Sequence, residues 1–245
     1  MEVNMTLPLL CTVIRHVDKQ EAYDTAIAEN PDNAGKKSSG ERGRRATATF
    51  HKHWASHRLL RISFTDNPTA ELRNAIEHVI WQWDQYVNLL IEFSPVNDGD
   101  IRISTNTSRN ASSIGTDALL FRTMSKPTMY IAVKPADEGF EAMVLHEFGH
   151  ALGLLHEHLH PESKIPWNKE KVYEDYGRAL NVSRDEIHQN FFATYPPASV
   201  RRTPYDTTSI MHYMVQKEFT DGEFEIAQNT TLSELDKELI SSMYP

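Results

Sequence analysis

The hydrophobic pattern sharpens in steps along this chain. Arg58 to Phe64 (RLLRISF) is a short run of branched and aromatic residues, which predicts a strand. Asn67-Pro68 then offers a cap and a first-turn proline. Leu72, Ile76, Val79, Ile80, Trp83 and Val87 follow at helical spacing and predict a long amphipathic helix lying on a sheet. Leu90 to Phe93, Asp100 to Ser104 and Thr128 to Val133 predict further strands, and 104–116, polar and glycine-punctuated, predicts a loop. Glu138 to Leu152 predicts a second helix, stopped by Gly153. Beyond residue 157 the pattern is broken by prolines. It supports short helices at Lys169 to Leu180 and Ser183 to Phe192, and a last one opened by a Ser233/Asp236 capping box. Strands and helices thus alternate in the first part of the main domain, and the part beyond residue 157 is less regular.

The first 46 residues differ from the rest. Met5 to Ile14 is mostly apolar and predicts a strand or helix, and 30–46 is a loop rich in Gly, Lys and Arg with almost nothing apolar. This divides the chain into an N-terminal segment with a basic linker, 1–46, which processing could remove, and a main domain, 47–245. Glu2 gives the leading apolar run an acidic start, unlike a secretory leader, which favours an intracellular location. Five Asn-x-Ser/Thr sequons, at Asn4, Asn106, Asn110, Asn181 and Asn229, keep secretion open. A net charge of −9 argues against nucleic acid as a partner, and no apolar run is long enough to span a bilayer. The single cysteine, Cys11, excludes an intrachain disulfide. Its thiol could be a redox sensor or an inhibitory zinc ligand; a buried small hydrophobe is the commoner fate of a lone cysteine.

The chemistry concentrates in His146-Glu-Phe-Gly-His150-Ala-Leu-Gly153-Leu-Leu-His156. Two histidines four apart on a helix leave it on the same face, one turn apart, and can share one Zn²⁺. Glu147 can reach a water on that metal and serve as general base without being a ligand. Gly153 lets the chain turn so that His156 supplies a third nitrogen. Three protein ligands leave a position open, the mark of a catalytic zinc site. From the composition of this chain, the five fixed positions would arise by chance on the order of once in 10⁴ sequences. Two other histidine groups, His51, His53 and His57, and His158 and His160, lack suitably spaced partners and are expected to face solvent.

The stretch resembles the metzincin zinc signature, and with Glu157 and His158 it looks like the astacin branch. Ser209-Ile-Met211-His-Tyr213 resembles the astacin Met-turn, SxMHY. The resemblance implies an α+β, zincin-like fold over 47–245: an N-terminal subdomain, 47–153, with a twisted mixed sheet and two long helices, and a mostly irregular or helical C-terminal subdomain, 154–245, with the zinc cleft between them. It implies Met211 as the hydrophobic floor under the zinc. It makes Tyr213 an additional ligand that swings away to hydrogen-bond the transition state. Two departures stand out: disulfides typical of animal astacins are impossible here, and Cys11 sits in Leu-Leu-Cys-Thr-Val, not in a matrixin-like PRCGxPD switch. Astacin propeptides instead place an acidic residue on zinc, and the mature amino terminus is buried near the residue matching Glu157.

The expected activity is therefore hydrolysis of a peptide or protein substrate by zinc-activated water. The substrate is expected to add as a strand to Thr128, Met129, Tyr130, Ile131, Ala132 and Val133, taken as the sheet edge above the cleft. The motif fixes metal and water but not substrate, so a zinc hydrolase or Lewis-acid enzyme of small molecules is the alternative. A binding module with an inert site is disfavoured by the intact Glu147.

Overall fold

The computed structural model describes residues 11–15, 18–34, 51–121, 126–195 and 203–245. Most of the basic linker lies outside the described residues.

Six strands form one mixed sheet in the order β1-β5-β6-β4-β2-β3. They are β1 (Cys11–Ile14), β2 (Leu59–Phe64), β3 (Leu90–Phe93), β4 (Ile101–Ser104), β5 (Asn110–Ser113) and β6 (Met129–Tyr130). β2 runs parallel to β3 and β4, and β4 parallel to β6; β5 is antiparallel to β6, and β1 is parallel to β5. The helices are α1 (Lys19–Glu29), α2 (Ala70–Ile80), α3 (Phe140–Ala151), α4 (Lys169–Leu180), α5 (Arg184–Phe191) and α6 (Glu234–Met243). The main core lies between the sheet and helices α2 and α3. Leu60, Ile62, Ile76, Ile80, Trp83, Ile103, Met129, Val144 and Phe148 fill it, all essentially inaccessible. A second cluster around Val172, Tyr176, Ile187, Phe191 and Phe219 carries the C-terminal part, and Cys11 and Tyr213 belong to it.

Three expectations change. The first long helix starts later than Asn67-Pro68: Thr69 is the cap, its hydroxyl accepting the Leu72 N–H at 3.2 Å, and the helix tightens into a 3-10 turn at Trp81–Tyr86. The polar stretch 104–116 contains strand β5, whose residues Asn-Ala-Ser-Ser are all buried. Small polar side chains give no alternation to see, and their burial comes from neighbours on both sides and from α3 beneath.

The third change concerns the stretch expected to be the sheet edge. Within 128–133 only Met129–Tyr130 is a strand, and it is interior, with β4 on one side and β5 on the other. Its main-chain groups are already paired, so no peptide can add there. The edge of the main-domain sheet is β5, and β1 of the N-terminal segment covers it. Ser113 donates its N–H to Thr128 O on the β6 side. Alternation along a strand then turns the N–H of Ser112 outward, towards the edge occupant.

The N-terminal segment is anchored at both of its described ends. Asn33, buried, donates from Nδ2 to Ala26 O (2.9 Å) and His53 O (2.8 Å) and accepts the His53 N–H on Oδ1 (2.9 Å). Its carbonyl accepts the His51 N–H. Asn30 bonds to Trp54 O, and Glu29 meets Arg58 at 3.2 Å.

Candidate active site

Helix α3 is buried along nearly its whole length, from Ala142 to Ala151. A helix this enclosed should be apolar all round, yet it carries His146, Glu147 and His150, each at most 7% exposed. Burying those groups costs free energy, and that cost points to a function for them.

The histidine rings are fixed from behind. His146 Nδ1 faces Ile210 O at 2.8 Å, and His150 Nδ1 faces Leu154 O at 2.8 Å. A ring nitrogen beside a carbonyl must be the protonated one, so each Nε2 turns a lone pair into the site. Gly153, at φ +100°, reverses the chain after α3. A side chain there would be strained, and the turn delivers His156 onto His150, with ring centroids 4.4 Å apart. His150 Nε2 and His156 Nε2 are 3.0 Å apart.

Cys11 completes the group. The ligand atoms of Cys11, His146, His150 and His156 all lie within 4.8 Å of one another, and all four residues are buried. It is the one such cluster among the described residues. His51, His53 and His57 form none; His51 and His53 stack on each other instead. His158 and His160 are buried, not solvent-facing: His158 Nε2 meets Asn190 O at 2.8 Å and His160 Nε2 meets Thr203 O at 3.2 Å.

The residues fit a zinc ion. In a tetrahedral zinc site with Zn–N and Zn–S of about 2.0–2.1 and 2.3 Å, ligand atoms lie about 3.3–3.7 Å apart, as this cluster allows. The Nε2 of His146 is buried without a hydrogen-bond partner, and the equally buried Glu147 carboxylate has only the Cys11 thiol beside it to interact with. Buried polar atoms are rarely left so, unless they serve an ion or a reacting group. Burial pushes His146 down to about 4 and His150 and His156 well below the ordinary range, so the rings are neutral and ready to ligate. It pushes the Cys11 thiol and the Glu147 carboxyl well up, and a cation between them is what would reverse that push.

Met211 lies below α3. A Cβ on Gly149 would sit 2.5 Å from Met211 Sδ, so the glycine between the two helix histidines is what lets the methionine come this close. Tyr213 is buried, its ring stacked on His158 at 4.0 Å and edge-on to His156 at 4.4 Å. Its hydroxyl donates to Cys11 O at 2.5 Å. Glu157 borders a cavity of about 510 Å³ shared with Arg15, Lys52, His53 and Asp117. Its Oε1 accepts the Asp206 N–H, and burial, with the charges of Asp236 and Asp206, raises it to about 8.

A family model described as Astacin, a peptidase family, matches residues 46–245. The chain belongs to the astacin family. It is a zinc metalloendopeptidase acting on peptide or protein substrates, and the small-molecule alternative gives way. A solved structure of myroilysin is 32% identical, with TM-score 0.73, covering 79% of this chain and 96% of that one. A crystal structure of myroilysin is 28% identical, with TM-score 0.65, covering 97% and 91%. High choriolytic enzyme 1, a hatching enzyme zinc-protease from the medaka fish Oryzias latipes, shares the astacin fold at 18% identity, with TM-score 0.54, covering 84% and 98%. No curated protein matches the chain. No helix among the described residues is long and apolar enough to cross a membrane.

Sequence reasoning found the three histidines, Glu147, Met211 and Tyr213, which the structure brings together. It weighed Cys11 as an inhibitory zinc ligand but favoured a buried small hydrophobe, because nothing flanking the thiol signals a ligand; the structure buries it beside the three histidines. It also missed β5 as the sheet edge.

Proposed function

We propose that the full chain is the latent form of this astacin endopeptidase, with Cys11 as the ligand that closes the zinc site and residues 1–46 as a removable pro-segment. The observation that carries this is the meeting of Cys11 with His146, His150 and His156. The two myroilysin matches support it: one covers 97% of the chain and the other 79%, a difference of about the share that precedes residue 47.

Three things a substrate needs are taken at once. The Cys11 sulfur would take the ligand position that three histidines leave open on a zinc ion. The Tyr213 hydroxyl is held by Cys11 O. The β5 edge is paired with β1. Cys11 stands where the family resemblance would put an acidic residue. In this form the Tyr213 hydroxyl serves as a hydrogen-bond donor to Cys11 O.

In the active form His146, His150 and His156 would hold zinc, which would supply Lewis acidity for activating a water and polarising the scissile carbonyl. Glu147 takes a proton from the attacking water and gives it to the leaving amine. Tyr213, whose burial pushes its hydroxyl well above the usual range, stays protonated and donates to the oxyanion once Cys11 O has left. The substrate main chain pairs with β5, and Ser112 N–H is among its donors. Met211 packs under the metal position.

The test uses Glu147→Gln in chain trimmed of its first 46 residues. It should retain one zinc while cleavage of a denatured protein falls by about 10²–10⁴-fold. Full activity in that variant would remove Glu147 from the role of base.

A further inference from the structure

The Met-turn is suspended between two sets of hydrogen bonds. On one side stands Asp236, at the start of α6 and buried. Its Oδ1 accepts the Ser209 hydroxyl at 2.6 Å, and its Oδ2 accepts the N–H groups of Ile210 at 2.7 Å and Ser233 at 3.0 Å. The Ser209 hydroxyl in turn accepts the Met211 N–H at 3.0 Å. On the other side, Ile210 O meets His146 Nδ1 at 2.8 Å, and Met211 O accepts the Glu157 N–H at 3.0 Å. One carboxylate thus sets the orientation of residue 210, whose carbonyl sets the tautomer and angle of the His146 ring.

We propose that Asp236 is a positioning residue for the metal site, acting through Ser209 and Ile210 on the ligand His146. This rests on His146 being a zinc ligand. The carboxylate is suited to the task because it can accept three hydrogen bonds at once without donating any. Charge-assisted bonds of 2.6–2.7 Å are the short, strong kind. A residue that fixes a ligating histidine from outside typically controls metal affinity about 10–100-fold.

Asp236 is also the third residue of a capping box with Ser233, and a helix-capping role alone must be separated from this one. Zinc dissociation constants of the full chain are measured by competition with a chelator, for Asp236→Asn, Ser209→Ala, Ser233→Ala and His146→Ala, with the melting midpoint of each zinc-free protein alongside. The proposal expects Asp236→Asn to weaken zinc binding about 10–100-fold. Ser209→Ala should weaken it in the same direction by less. Ser233→Ala removes the cap and the bond from the Ser233 hydroxyl to Asp206 (2.6 Å) but leaves the bonds from Asp236 to Ser209 and Ile210 in place, so it should lower the midpoint and leave zinc affinity unchanged. Should Asp236→Asn fail to fold, Ser209→Ala alone decides. Asp236→Asn or Ser209→Ala with wild-type affinity, or Ser233→Ala weakening zinc as much as Asp236→Asn does, would reduce Asp236 to a helix cap. If His146→Ala itself binds zinc like wild type, the ligand assignment fails, and the relay is not what has failed.

Discussion

The zinc helix and the segment that covers it contribute to one site by opposite means. His146 and His150 ride on a helix locked into the core, with Met211 beneath Gly149 and a carbonyl behind each ring. Cys11 arrives on a four-residue strand attached along the sheet edge, held by β5, by the Tyr213 hydroxyl and by the Asn33 anchor further along. The first set of contacts must survive catalysis and is spread through the fold. The second, which activation undoes on the proposed reading, is made of a few hydrogen bonds and one sulfur. The difference teaches where the enzyme keeps its permanent chemistry and where it keeps its restraint.

Removing the metal tests the permanent half and should have the largest effect. A chelator should abolish cleavage by the trimmed enzyme, and added zinc should restore it; cleavage that survives complete zinc removal would break the account.

Next in size is Cys11→Ala in the full chain. Losing the sulfur should raise cleavage of a denatured protein by about tenfold or more, since each ~1.4 kcal/mol taken from the closed state is a factor of ten. An unchanged rate would mean that β1 blocks the cleft without help from the thiol.

The anchor gives a third, smaller effect. The hydrogen bonds from Asn33 to His51 and His53 join the two sides of the linker, so a single cut between residues 35 and 50 should leave residues 11–34 in place. Activation would then need a slower release step. Asn33→Ala should speed that release by about 10–100-fold, as expected for losing a buried, multiply bonded amide worth ~1–3 kcal/mol. Following loss of the cut segment by mass spectrometry, together with the onset of activity, would check it. Activity that appears at full rate with the cut itself would refute the retained complex.

The smallest effect tests the edge. Ser112→Pro in the trimmed enzyme removes one outward N–H from β5 and should raise KM up to about tenfold without altering zinc content, the worth of one hydrogen bond. A KM unchanged by this substitution would take β5 out of substrate binding.

The zinc helix was legible in sequence because its information is local: spacing, a glycine stop and a nearby third histidine. The same holds for α4, α5 and the α6 capping box, which lie within a residue or so of where the pattern puts them. What sequence hid depends on partners distant in the chain. The strand Asn110–Ser113 has no hydrophobic alternation and is a strand only because β6 and β1 flank it. The stretch 128–133 looks like an edge strand by composition, but its place inside the sheet is a matter of strand order. Cys11 has no flanking motif, and only tertiary pairing with Asn110 carries it to the histidines. Asp236 is recognisable as a cap; its reach to Ser209 and Ile210 is not.

The most direct test of the Cys11 assignment is zinc-edge X-ray absorption on the untreated full chain. The account predicts three nitrogen neighbours at about 2.0–2.1 Å and one sulfur at about 2.3 Å, with the sulfur lost when residues 1–46 are removed. A first shell of nitrogen and oxygen alone in the full chain would contradict it.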